Sequence, residues 1–153
     1  SVFFSTWTQL PVAPAGASAI DWPKVLEVRA AVLRELERLR IAGEIGAPLD
    51  AIVEIYAAVE TRAALEALGE ELRFVLITSE AHVHPLEARP EAAVPADPEG
   101  KAGLWLHVHA SGATKCVRCW HKRDDVGSDA RHPELCVRCV SNIEGPGESR
   151  QLA

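Results

Sequence analysis

Two turns that both read "CVRC", Cys116-x-x-Cys119 and Cys136-x-x-Cys139, constrain this chain more than any other feature. They hold all four cysteines of the 153 residues, with 16 residues between the pairs. Each Cys-x-x-Cys turn can aim two sulfurs at one point, and two such turns together supply the tetrahedron that Zn²⁺ adopts at about 2.3 Å per Zn–S bond. A redox couple needs only one of them and leaves the second unexplained. Two structural disulfides need an oxidising compartment, for which nothing in the sequence argues. Haem attachment needs His directly after the second cysteine, where Trp120 stands instead and His121 comes one place late. The expectation is one structural zinc on Cys116, Cys119, Cys136 and Cys139, closed, with no position for an activated water. His121 and His132 are then surface or supporting residues rather than ligands.

Few large apolar side chains lie in residues 111–153, so metal binding is expected to supply the ordering free energy that a core cannot. Four thiolates around one Zn²⁺ leave a net negative charge, and Lys115, Arg118, Lys122, Arg123 and Arg138 lie close to it in sequence. These bases either neutralise the cluster or also face phosphates, with Trp120 or His121 stacking on an unpaired base. Trp120 reads equally as a lid that keeps water from the sulfurs.

Charge is divided along the chain. The 16 Lys and Arg against 22 Asp and Glu give a net charge of −6, which argues against nucleic-acid binding through overall positive charge. Residues 1–110 carry 9 basic and 16 acidic side chains, whereas residues 111–153 carry 7 and 6. An anionic partner should prefer the second part. No apolar run approaches the roughly 18 residues of a membrane span, and the first residues lack the charged start and cleavage site of a signal peptide. A cytoplasmic monomer without membrane contact is expected. The chain contains no methionine, even at position 1, and reads as a piece of a longer protein.

Upstream of the cysteines the periodicity predicts an α+β arrangement. "SVFFSTWTQLP" places Phe3, Phe4 and Trp7 as core contacts to a preceding element, before a Pro- and Gly-containing connector. "DWPKVLEVRAAVLRELERLRIAG" predicts an amphipathic helix with Asp21 or Trp22 as its cap, Pro23 in its first turn, Val25, Val28, Val32, Leu36 and Leu39 inward, and Gly43 as its end. Its other face, with Arg29, Arg34, Arg38 and Arg40 among glutamates, reads as solvated and laced with intrahelical ion pairs. "DAIVEIYA" predicts a strand. "ETRAALEALGEEL" predicts a helix burying Leu65, Leu68 and Leu72, and "RFVLITSEAHVHPL" is open between a helix end and strands. After a Pro-, Ala- and Glu-rich loop at 87–103, "LWLHVHA" alternates, with Leu104, Leu106 and Val108 on one face. The expected organisation is the end of a helical domain at 1–46, a small sheet with a packed helix at 47–110, and a zinc hairpin module at 111–153. His82, His84, His107 and His109 read as the exposed polar face of that sheet rather than metal ligands, since no carboxylate or thiol stands in ligand spacing to them.

The letters carry a resemblance as well. Cys116 to His121, Asp125 to Gly127, His132 to Val140 and Asn142 to Arg150 resemble the C-terminal zinc segment of bacterial isoleucyl-tRNA synthetases. "SVFFSTWTQLP", "VLEVRAAVLRELERLR", "IGAPLDAIVEIYA" and "FVLITSEAHV" are similar to the anticodon-binding helical domain and following α+β unit of that family. The resemblance implies a class I synthetase as parent, joining L-isoleucine to tRNA(Ile) with ATP and Mg²⁺. Neither class I signature is present in this chain, so the resemblance implies a noncatalytic part that positions tRNA(Ile) for the rest of the synthetase. Carried over by residue, Cys116, Cys119, Cys136 and Cys139 hold zinc, while Lys115, Arg118, Trp120, His121, Lys122, Arg123 and Arg138 are candidates for RNA contact. A shorter resemblance, confined to the cysteine hairpin, links it to DNA glycosylases of the formamidopyrimidine type, whose N-terminal Pro-Glu start is absent. A purely structural zinc clip is the third reading.

Overall fold

The computed structural model describes residue 6 and residues 20–97, 99–100 and 103–150; the expected contacts of Phe3, Phe4 and Trp7 lie outside these. The first element is α1 (Trp22–Ala42), started by the Asp21 side chain, which accepts the Lys24 N–H at 3.1 Å. It ends at Gly43, whose left-handed φ of 76° lets the chain reverse and satisfy the Arg40 carbonyl, while Glu44 N–H takes that of Leu39. Val25, Val28, Val32, Leu36 and Leu39 are all buried. On the outer face Arg38 pairs with Glu35 and Arg40 with Glu37, both at 2.8 Å. The other two arginines reach outside the helix: Arg29, partly buried, donates to the Val75 carbonyl at 2.8 Å, and Arg34, on the solvated face as expected, to that of Ala96 at 3.1 Å. Long side chains at the edge of an apolar stripe reach carbonyls of the neighbouring layer.

The sheet contains β1 (Ala51–Ala57), β2 (Glu80–Pro85), β3 (Val94–Pro95) and β4 (Leu104–Ala110), in the order β2-β1-β4-β3. β1 and β2 run parallel, Val53 opposite Ala81, and β1 and β4 antiparallel, Val53 opposite Val108. A parallel neighbour needs a crossover, supplied here by α2 (Val59–Glu66), a 3₁₀ turn (Gly69–Glu71) and α3 (Leu72–Leu76). The single helix expected across these residues is therefore broken. Gly69 takes a φ of +50°, and the turn it allows keeps Leu65, Leu68, Leu72 and Leu76 all buried. The open stretch "RFVLITSEAHVHPL" is both alternatives in succession, the end of α3 and then β2. The loop expected at 87–103 contains β3, which pairs Val94 with Leu106.

Helices cover one face of the sheet. α1 contributes Val28, Val32 and Leu36 to the same apolar cluster as Val53, Ile55, Leu106 and Val108, so residues on both sides of the boundary expected at 46 and 47 pack as one unit. The other face carries Glu54 and Tyr56 of β1, His82 and His84 of β2, and Trp105, His107 and His109 of β4, as the register requires. Strand pairing brings a carboxylate that sequence spacing did not offer, as Glu54 of β1 hydrogen-bonds His84 of β2, while Glu80, two residues before His82 on the same strand, lies 3.2 Å from it. No helix among the described residues is long and apolar enough to cross a membrane.

Candidate metal centre and its docking seam

The last described part is a hairpin of β5 (Thr114–Lys115) and β6 (Lys122–Arg123), followed by α4 (Val137–Glu144). The first knuckle, Cys116 to Cys119, occupies the hairpin turn. The second opens a helix, with Cys136 as its N-cap and Cys139 in its first turn. The strands stop because the knuckle turns inward: Trp120 N–H closes on the Cys116 carbonyl at 2.9 Å, and Cys116 N–H on that of His121 at 3.0 Å. The intervening loop is pinned by Gly127, whose N–H meets the Leu135 carbonyl at 3.0 Å. A Cβ there would lie 2.9 Å from the Pro133 carbonyl oxygen.

The four sulfurs come together. Ligand atoms of Cys116, Cys119, Cys136 and Cys139 all lie within 4.8 Å of one another, and Cys119 and Cys136 are 3.7 Å apart at Sγ. A tetrahedron with Zn–S bonds of about 2.3 Å has edges of about 3.8 Å, whereas a disulfide needs about 2.05 Å. Cys116, Cys136 and Cys139 are buried. Burial opposes a thiolate at Cys116, but the backbone N–H groups of Cys119, Cys136 and Arg118 outweigh it and bring this thiol down to about 6. Burial pushes Cys136 up to about 12 and also raises Cys139. Sulfurs this close become thiolates together only with a cation among them, so the donor set fits a bound dication.

The repeated "CVRC" letters acquire a reason. Arg118 of the first knuckle donates to the sulfur of Cys139 in the second at 3.7 Å. Arg138 of the second donates to Glu148 at 2.9 Å; burial works against its charge, but the nearby Cys119 sulfur and the Glu148 carboxylate outweigh that and keep the guanidinium firmly protonated. Each knuckle thus brings an arginine toward the sulfur cluster, while Val117 and Val137 are both about half exposed, at 54% and 51%.

The remaining candidates for RNA contact separate by environment. Lys115 lies 3.8 Å from Asp50, Lys122 Nζ donates to the Ser111 carbonyl at 3.0 Å, and Arg123 pairs with Asp125 at 3.2 Å. His121 faces the Cys119 carbonyl at 3.2 Å, and burial, with Arg138, Arg73 and Arg123 nearby, holds its pKa below the ordinary value. Trp120 is different. It is 60% exposed and holds a left-handed φ of 66°, so much of its ring is open to solvent.

Residues that sequence reading did not single out attach the metal module to the sheet. The Ser79 hydroxyl, buried at the start of β2, accepts the Lys122 N–H at 2.6 Å and donates to the Leu49 carbonyl. Phe74 of α3 meets His121 edge-on, with centroids 5.8 Å apart. Arg73, Arg138 and Arg150 place their guanidiniums 4.8, 5.2 and 3.9 Å from the Phe74 ring centre. Nothing local marked Phe74, or Ser79, which stands between Thr78 and Glu80.

Residues 114–142 match the zinc finger found in FPG and IleRS, so the centre is that of a zinc-finger segment. The particular relatives follow from the whole chain, which is homologous to a C-terminal stretch of bacterial isoleucine–tRNA ligases. It is 47% identical over 156 residues to the isoleucine–tRNA ligase of Thioalkalivibrio sulfidiphilus (strain HL-EbGR7), covering 100% of this chain and 16% of that protein. It is 54% identical over 132 residues to that of Alkalilimnicola ehrlichii (strain ATCC BAA-1101 / DSM 17681 / MLHE-1), covering 86% and 14%. With that of Nitrosococcus oceani it shares 48% over 158 residues, covering 100% and 16%. The chain therefore spans about one sixth of the curated relatives it matches.

Proposed function

We propose that this chain is a noncatalytic tRNA-binding part of an isoleucine–tRNA ligase, holding tRNA(Ile) while the rest of that enzyme charges it with L-isoleucine at the expense of ATP, with Mg²⁺. End-to-end homology to such ligases supports the parent. Zn²⁺, when held by Cys116, Cys119, Cys136 and Cys139, supplies the order of a segment with no large apolar core of its own. The chain's own residues do the rest: Arg118 and Arg138 offset the thiolate charge, and Ser79 and Phe74 fix the module's orientation.

The observation that carries the RNA reading is Trp120. An indole held outward in a left-handed backbone costs about 1–2 kcal/mol relative to ordinary conformations and leaves its face available to an unpaired base, a contact of about 1–3 kcal/mol. In the full-length ligase, Trp120→Ala should leave zinc content and isoleucyl-adenylate formation unchanged and raise KM for tRNA(Ile) by roughly 5-fold or more. Trp120→Phe should keep part of the effect.

The structural clip remains a second reading, because Lys115, Lys122 and Arg123 make contacts inside the molecule. It expects the same KM for tRNA in Trp120→Ala as in the unaltered ligase.

A further inference from the structure

Three arginines gather around Phe74 where α3 meets the zinc module, with Arg123 near one of them. Arg73, Arg138 and Arg150 lie over or beside its ring, and Arg123 and Arg138 are close enough to Arg73 to oppose its charge. Burial first, and then these two neighbours, lower the Arg73 pKa. Three carboxylates answer them unequally. Asp125 takes Arg123 at 3.2 Å. Glu70 is 92% exposed and approaches Arg73 only to 3.9 Å. Glu148, on the segment after α4, serves two arginines at once, Arg138 and Arg150, each at 2.9 Å. Arg73 is left poorly matched: its side chain is 13% exposed and its Nε is buried without a hydrogen-bond partner. A buried guanidinium donor without an acceptor is costly, and guanidiniums are the side chains best suited to phosphate oxygens.

We propose that this seam is a phosphate-binding site, in which Arg73 and Arg138, both at the Phe74 ring, receive one phosphate group and the Glu148 carboxylate holds the place until that phosphate displaces it. The site rests on the tRNA-binding reading for its source, a phosphodiester of the RNA backbone. The contact of Glu148 is easily exchanged. A carboxylate and a phosphodiester each carry one negative charge and offer two oxygens to an arginine fork. The segment bearing Glu148 leaves α4 through Gly145 and Gly147, the latter at a φ of +83°, where glycine permits a changed path. Glu148 is tethered by its N–H to Asn142 at 2.9 Å, so release frees a short tail and leaves the zinc cluster in place.

The test uses the full-length ligase and tRNA(Ile) binding across a salt series. Arg73→Gln should weaken binding several-fold and flatten the salt dependence by about one phosphate contact. Arg73→Lys should restore much of the salt slope. Glu148→Gln should tighten binding, because the internal competitor is gone. Zinc content equal to that of the unaltered protein reports that each variant is folded at the seam. A free-phosphate source is distinguished by ³¹P line broadening of inorganic phosphate that Arg73→Gln abolishes; an RNA-only source shows no such difference while tRNA affinity still responds. Unchanged affinity and slope in Arg73→Gln, or weaker binding in Glu148→Gln, overturns the site. If Trp120→Ala still weakens tRNA binding in that case, the tRNA-binding reading survives without it. If Arg73→Gln, Glu148→Gln and Trp120→Ala all bind tRNA as the unaltered ligase does, both fail.

Discussion

Ile77 and Trp120 are the non-glycine residues with positive φ among the described residues, at 61° and 66°, and both are exposed apolar side chains. Ile77 ends α3 and Trp120 follows the first knuckle. A β-branched residue is especially ill suited to the left-handed region. Ile77→Gly should therefore stabilise the protein by about 1 kcal/mol, seen as a raised thermal midpoint; a lowered midpoint would mean that packing by the Ile77 side chain outweighs its backbone cost. Gly127→Ala should act in the opposite direction. It adds strain at a φ of +82° and puts a methyl 2.9 Å from the Pro133 carbonyl oxygen, so a loss above about 1 kcal/mol is expected, with faster zinc loss to a chelator. Composition marked neither site. A tryptophan after Cys-x-x-Cys is visible in the letters, but its left-handed backbone and its exposure are not.

At the scale of elements, the joint between β2 and the zinc hairpin is narrow and specific. The Ser79 hydroxyl receives the Lys122 N–H and passes its own proton to the Leu49 carbonyl, linking β6, the start of β2 and the turn before β1. Ser79→Ala leaves that N–H and that carbonyl short of a partner in a buried place, a cost of about 1–3 kcal/mol. The expected result is a metal module that exchanges amide hydrogens faster at β5 and β6, while amides of β1 and β4 are unaffected. Equal protection in both would place the docking energy elsewhere, in the Phe74 cluster. α1, β1 and β4 were legible beforehand, because an apolar stripe at helical spacing and strict alternation are local consequences of burying one face. The break between α2 and α3 was not, since leucines continue at helical spacing through Gly69 and only the need to return to β2 bends the chain there.

For the whole molecule, two separate buried clusters matter. One contains the apolar residues of α1, the sheet and the crossover helices, and the other contains the cysteines with Val126 and Leu135. Removing zinc with a chelator, or replacing a ligand by Cys119→Ser, should therefore unfold residues 111–150 and leave residues 20–110 folded. Metal analysis should show the loss of one zinc per chain, and circular dichroism should retain the helix and sheet signal of the larger cluster. Collapse of both would mean that the seam at Ser79 and Phe74 is essential to the sheet. Zinc content and folding unchanged in Cys119→Ser would remove the metal centre from the account.

By itself the sequence determined the elements that follow from local periodicity, the zinc-ligand set that follows from two short spacings, and an α+β class. Tertiary structure decided which distant groups meet. It put α1 on the sheet, sent the arginine of the first knuckle to a sulfur of the second, brought Glu54 to His84, and gathered arginines from α3, α4 and the following segment around one phenylalanine. The physical reason is that periodicity and turn chemistry act over a few residues, whereas a hydroxyl 43 positions from its partner N–H is chosen only when the packed layers bring the two together.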